Sequence, residues 1–166
     1  MKRLPIVICL FALSFCANAG GPPVDCSFDQ AYIADKLRAL AARVPGGVVN
    51  LKESSVSWHL NSGDIVDAGQ GGCYDLGTGV SIRFANGRRP PTERAVRQLL
   101  AAISTYWSKR DADEIASTLA AKNFGTQVLE NGDIELTTPK IPDSPFFQGF
   151  SIILSKSEIS ISWQPG

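Results

Sequence analysis

The chain has 166 residues, with 16 basic side chains, 16 acidic side chains and a single histidine. This length is typical of one domain that buries a sizeable core. The balanced charge excludes a general nucleic-acid binder, which would carry a clear basic excess. One histidine also leaves too few imidazole ligands for most zinc sites.

The N-terminus is typical of a bacterial secretory signal peptide. Basic residues 2–3 precede an apolar stretch over residues 6–15, which is shorter than the ~20 residues that span a bilayer. The sequence Ala-Asn-Ala at residues 17–19 matches the site that a signal peptidase cuts. We therefore predict a signal peptide over residues 1–19, a single domain over residues 20–166, and a periplasmic or secreted location.

Cleavage at this site would leave two cysteines, Cys26 and Cys73, with 14 basic and 16 acidic residues and hence a formal charge of −2. Two cysteines in an oxidising compartment usually pair, so we predict a disulfide between them; the alternative is two separate buried thiols. Lipid attachment at Cys16 is a second processing route, but it is disfavoured because such sites need a small residue where Phe15 stands. No later apolar run is long enough for a membrane helix, so stable membrane insertion is not expected.

The domain begins with a helix and a strand-rich block. Apolar residues recur at three- and four-residue steps over residues 28–44, which predicts an amphipathic helix that Pro45 and the glycines after it terminate. Alternation of apolar and polar residues predicts strands over residues 56–60 and 80–84. Between these strands lies a Gly-rich stretch around Gln70, which we interpret as a connection.

Two helices and two hairpins follow. The apolar spacing predicts a helix over residues 92–107 and a shorter one over residues 112–122, begun by Asp111. The turn pair Asn-Gly at residues 131–132 predicts one hairpin, and alternation over residues 150–163 predicts another. We therefore expect the α+β class: an antiparallel sheet of hairpins with about three helices packed on one face.

The strongest binding signal is a cluster of arginines in a chain that is otherwise slightly acidic. Arg88, Arg89, Arg94 and Arg97 lie within a short span, and the last two fall in the first turns of a predicted helix, where positive charge opposes the helix dipole. The planar guanidinium suits recognition of a carboxylate. We predict a binding patch for another protein with an acidic surface; the alternative is a solvated face that Glu93 partly neutralises.

An enzymatic alternative rests on the few acid–base groups. Asp64 and Asp67, with Asp75 near them in sequence, could serve as paired carboxylates of a glycan hydrolase, although acidic residues in a Gly-rich turn usually serve turn chemistry. His59 could act as a base, but it lies two residues from Ser57 on one strand, too far for a direct hydrogen bond in a flat pleat.

The polar strand positions favour binding over catalysis. Most of them are serine, which offers small hydroxyls and few titrating groups. The serines are Ser55, Ser57, Ser81, Ser160 and Ser162. Neither a metal nor a cofactor is expected, because the spacing of Asp64 to Asp75 does not match a calcium loop and the glycines near Gln70 do not match a phosphate loop. We predict a non-enzymatic periplasmic binding protein, with an immunity-type inhibitor of a toxin or hydrolase as the specific hypothesis. A cell-wall glycan or peptide hydrolase and a structural subunit of an envelope complex are the alternatives.

Overall fold

The computed structural model describes residues 30–71, 77–141, 146 and 148–164. Within these ranges the helices are α1 (Gln30–Arg43), α2 (Thr92–Ala102) and α3 (Lys109–Ala120), and a π-helical turn, here called the π-turn, covers Ile103–Trp107. The strands are β1 (Val48–Asn50), β2 (Ser55–His59), β3 (Ile65–Gly71), β4 (Gly77–Arg83), β5 (Gly125–Val128), β6 (Ile134–Thr137), β7 (Phe150–Leu154) and β8 (Glu158–Trp163). The predicted α+β class is confirmed.

The described strands form one antiparallel sheet in the order β1-β2-β3-β4-β8-β7-β6-β5. The sheet therefore consists of two four-stranded meanders, each made of strands that are consecutive in the chain. The meanders meet where β4 pairs with β8, from Thr78 opposite Trp163 to Arg83 opposite Glu158. The segment formed by α2, the π-turn and α3 leads from β4 at the centre of the sheet to β5 at its edge.

Alternation along the strands gives the sheet an inner, apolar face and an outer, polar face. The inner face packs against the buried stripes of the helices, so the predicted arrangement of helices on one face is confirmed. Leu99 of α2 is 0% exposed, and burying such a side chain stabilises the fold by roughly 1.5–3 kcal/mol. The last hairpin matches its prediction: Ile159, Ile161 and Trp163 are buried, whereas Ser162 is exposed on the opposite face.

The interpretation of the Gly-rich stretch as a connection was wrong. Residues 65–71 form β3, which pairs with β2 on one side and β4 on the other. Gly69 permits a close approach here, because a Cβ at this position would lie 2.5 Å from the carbonyl oxygen of Ser54. β1 was also missed, since three residues are too few to show an alternation.

The two later helices also differ from their predictions. α2 ends at Ala102, and the chain continues through the π-turn, closed by a hydrogen bond of 2.8 Å from the Ser108 amide to the Ile103 carbonyl. α3 begins at Lys109 rather than after Asp111, because the Ser108 hydroxyl accepts a hydrogen bond from the Asp111 amide and caps the helix.

Several predictions concern residues outside the described ranges. They are the signal peptide over residues 1–19, the lipid site at Cys16 and the disulfide between Cys26 and Cys73. Within the part of the chain that the structure describes, no helix combines the length and apolar character needed to cross a membrane.

We expect Gly69→Ala to lower the free energy of unfolding by about 1–3 kcal/mol, because the new methyl group would collide with backbone that cannot move without breaking strand pairing. Gly79, its partner in the neighbouring strand, is the matched control: a Cβ there meets its nearest atom, the Ile161 oxygen, at 3.4 Å. Gly79→Ala should change the stability by less than about 0.5 kcal/mol. Urea unfolding of both variants checks this, and equal losses would contradict the close approach.

Candidate functional site

Three of the four predicted arginines line one concavity of about 250 Å³, here called the arginine pocket. It lies between the β2–β3 turn, the loop after β4 and the first turns of α2. Its lining residues are Asp64, Phe84, Asn86, Arg88, Arg89, Pro90, Arg94 and Gln98.

Arg89 fixes one wall of the arginine pocket to the sheet. Its amide donates to the Lys156 carbonyl at 2.7 Å, and its Nε donates to the Ser155 carbonyl at 3.0 Å. Its terminal nitrogen also donates to the Pro90 carbonyl and the Thr92 hydroxyl, each at 3.2 Å. Arg89 therefore fastens the loop after β4 to the β7–β8 turn, and much of its hydrogen-bonding capacity is used within the protein.

Asp64 fixes another part of the lining. One carboxylate oxygen accepts a hydrogen bond from the Ala85 amide at 2.9 Å, and the other accepts from the Ser62 hydroxyl at 2.9 Å. The carboxylate thus ties the β2–β3 turn to the loop after β4. This is turn chemistry, the ordinary role of an aspartate at such a position.

Arg88 and Arg94 are exposed, and their side chains form no hydrogen bond or ion pair with any residue that the structure describes. Two unpaired guanidinium groups beside the fixed Arg89 make a positively charged concavity that can accept a carboxylate. Arg97 does not line it. Arg97 is 70% exposed along α2, with Glu93 at 3.9 Å, so it belongs to a solvated face.

The arginine pocket adjoins an apolar concavity of about 220 Å³, and the two share Asp64 and Gln98. Leu60, Val66 and Tyr106 are among the residues that line this second space, here called the apolar extension. Between the two, the side-chain oxygen of Gln98 is enclosed and has no hydrogen-bond donor among the described residues. A buried acceptor without a donor costs about 1–3 kcal/mol, so this position stands out as one where a hydrogen-bond donor would be favourable.

The enzymatic candidates do not share a cleft. Asp67 lies within β3 on the outer face, where it accepts hydrogen bonds from the Ser57 hydroxyl and from Arg83, the latter at 2.8 Å. The hydrogen bond to Asp67 and the charge of that carboxylate raise the pKa of Arg83. Asp64 lies instead in the turn that lines the arginine pocket, and Asp75 falls outside the described residues.

His59 stands apart from these groups. It ends β2 on the exposed outer face, opposite Ile65 of β3. Ser57 donates its hydroxyl directly to Asp67, so the serine and the carboxylate contact each other without an intervening imidazole. Among the described residues, no cluster of three or more His, Cys, Asp or Glu side chains could hold a metal ion.

The predicted serines lie together on the outer face, where Ser55 is opposite Gly69. Ser81 is opposite Ser160, and Gly79 is opposite Ser162. At the far edge of this face, Glu135 accepts hydrogen bonds from Ser151, at 2.6 Å, and from Gln127.

Sequence reasoning missed a separate concavity, here called the tryptophan pocket, which lies between α1 and the end of the π-turn. Its residues come from three separated segments and include Lys36, Leu37, Leu40, Arg43, Gln70 and Trp107. The available signal was the pair of cations seven positions apart on a predicted amphipathic helix.

No protein-family model, no curated protein and no solved structure matches this chain.

Hydrogen bonds from Ser151 and Gln127 favour the charged form of Glu135 and lower its pKa below the ordinary value of 4.5. The carboxylate therefore stabilises the fold fully above about pH 4.5, and this contribution is lost as the pH falls through the lower, folded pKa. We expect the stability difference between the wild type and Glu135→Gln to shrink on acidification. Urea unfolding from about pH 7 to pH 3 measures it.

Glu130 supplies the control for this titration. It is an exposed carboxylate in the same hairpin, with no hydrogen bond to a described residue. Glu130→Gln should leave the pH profile of the wild type unchanged. A difference between the wild type and Glu135→Gln that stays constant across the pH range would contradict the assignment.

Proposed function

We propose that this protein is a non-enzymatic periplasmic binding protein of the immunity type, which inhibits a toxin or hydrolase by binding an acidic side chain in the arginine pocket. The observation that carries the proposal is the convergence of Arg88 and Arg94, both without partners among the described residues, beside the internally bonded Arg89. Such a wall attracts an acidic surface at long range and pairs with a carboxylate on contact.

The apolar extension favours a protein partner over a free inorganic anion. A phosphate or sulfate ion would use the arginines alone, whereas a protein segment can place an acidic side chain among the arginines and an apolar one beside Tyr106. Partly fixed walls reduce the conformational cost of binding, since Asp64 and Arg89 are already held by hydrogen bonds.

The hydrolase alternative has less support. Glycan hydrolysis needs two carboxyl groups that flank one bond. Asp64 and Asp67 line different concavities, and each accepts hydrogen bonds from neighbouring side chains or backbone. The hypothesis retains a direct test, because release of fragments from added cell wall, abolished by Asp64→Ala or Asp67→Ala, would replace the binding proposal.

Export and a disulfide complete the proposal, both on the basis of the sequence. Cleavage after Ala19 would deliver the domain to the periplasm, where Cys26 and Cys73 would be oxidised to a disulfide. This compartment is where an inhibitor would meet an incoming toxin or a cell-wall hydrolase.

We expect the double variant Arg88→Ala, Arg94→Ala to bind its partner about 10- to 100-fold more weakly than the wild type, because the acidic group would lose its charge-assisted hydrogen bonds. The partner is first captured from the envelope of the host with the tagged wild-type protein, and its affinity for each purified variant is then measured by calorimetry. Inhibition of the partner's activity should weaken in parallel.

Arg97→Ala is the matched control for this measurement. It removes one arginine from the same helix but from a residue that lies outside the pocket, beside Glu93. Its affinity should stay within about twofold of the wild type. Equal affinity of the wild type and the double variant for a captured partner would place the interface elsewhere. A partner present in a large stoichiometric assembly would favour the structural-subunit alternative.

We expect the exported chain to begin at Gly20 and to carry a disulfide between Cys26 and Cys73. Mass spectrometry should find no alkylated cysteine before reduction and two after it, and Cys73→Ser should lower the free energy of unfolding by roughly 2–4 kcal/mol. Two thiols that react without reduction would contradict the disulfide. A lipid-modified Cys16 at the mature N-terminus would contradict cleavage after Ala19.

A further inference from the structure

The tryptophan pocket is a cavity of about 360 Å³ on the helical side of the sheet. It is remote from the arginine pocket. Asp64 precedes β3 and lines the arginine pocket, whereas Gln70, six residues further along an extended strand, lines the tryptophan pocket. Six residues of strand extend over roughly 20 Å, so one small ligand cannot occupy both sites.

The walls of the tryptophan pocket are apolar and fixed. Leu37 and Leu40 belong to the buried stripe of α1, and they are only 1% and 6% exposed. The indole of Trp107 is held in place, because its Nε1 donates to the Asp111 carboxylate at 3.1 Å and its ring meets Trp163 edge-on at 6.1 Å. With its N–H bonded to Asp111, the indole presents an apolar surface to the cavity.

The π-turn gives Trp107 this position. The hydrogen bond from the Ser108 amide to the Ile103 carbonyl joins residues five apart, whereas α-helical bonds join residues four apart. The α-helical pattern of α2 therefore ends at Ala102. π-helical turns are uncommon and occur frequently at functional sites. Here the turn places Trp107 beside α1, immediately before Ser108, which caps α3.

Two cations line these apolar walls. Lys36 and Arg43 are seven residues apart on α1, and neither forms an ion pair with a described residue. Lys36 lies 4.8 Å from the centre of the Tyr32 ring, a contact that leaves its charge uncompensated. The acidic group nearest in the chain is Asp35, which pairs with Arg38 at 2.7 Å.

We propose that the tryptophan pocket binds a small amphipathic carboxylate, with its apolar body against Trp107 and Leu40 and its carboxylate paired with Lys36 and Arg43. The cavity volume falls within the range of ~300–1,000 Å³ that is usual for small-molecule sites. Apolar walls combined with cations that no described residue pairs select for a ligand that carries both an apolar body and a negative charge. This site is independent of the proposed function.

Octanoate is the probe, and 1-octanol supplies the same chain without the charge. The readout is the nuclear magnetic resonance signal of the Trp107 indole N–H, assigned by its disappearance in Trp107→Phe. We expect a saturable shift of this signal with octanoate and a dissociation constant at least about tenfold higher for 1-octanol. In the double variant Lys36→Gln, Arg43→Gln, the dissociation constant for octanoate should rise by about tenfold or more, while the dissociation constant for 1-octanol should stay unchanged.

Arg38→Gln is the matched control, since it removes a cation from the same helix that pairs with Asp35 and does not line the cavity. Its octanoate affinity should remain within about twofold of the wild type. Equal affinity for octanoate and 1-octanol would overturn the proposal, as would unchanged octanoate binding in the double variant. The absence of a saturable shift up to about 10 mM octanoate would overturn it as well.

Discussion

The pairing of β4 with β8 is the interaction on which the rest of the described structure depends. It joins two meanders whose buried residues belong to one core, and it aligns the inner-face pairs of the two strands. Val80 meets Ile161 there, and Ile82 meets Ile159, so the seam is also the centre of the core. The hydrogen bonds of the pairing continue past β4 and hold the loop after it against the β7–β8 turn, which is how the seam sets the wall of the arginine pocket.

The sequence allowed prediction of the elements whose pattern is local. Alternation predicted β7 and β8 almost to the residue, and the Asn-Gly pair predicted the β5–β6 hairpin. β3 was not predicted because two of its outer-face positions are Gly69 and Gly71, and glycine is typical of turns. The need for glycine comes from the approach of Ser54, which lies in the turn just before β2, and this tertiary cause has no local signature. The π-turn was not predicted for a related reason, because the apolar spacing at its start fits an α-helix equally well.

In the candidate sites, too, features set by neighbouring residues could be predicted from the sequence, whereas features set by contacts between remote segments could not. Arg88, Arg89 and Arg94 could be predicted as a cluster, because closeness in sequence brings them to one loop and one helix end. Their separate roles depend on contacts with remote chain: Arg89 is bonded to the β7–β8 turn, and Arg97 turns away along α2. The tryptophan pocket could not be predicted from the sequence, because α1, β3 and the π-turn come together to form it only in the folded state.

The near-neutral charge of the chain conceals an uneven distribution. Several carboxylates are engaged within the protein, where they hold turns, the outer face and the start of α3 in place. They are Asp64, Asp67, Asp111, Asp133 and Glu135. At the two pockets, Arg88, Arg94, Lys36 and Arg43 form no ion pair with a described residue, so the concave surfaces are more positive than the composition suggests. Because concave walls of low dielectric concentrate an electric field, these arginines and the lysine act where a ligand would bind rather than across the whole surface.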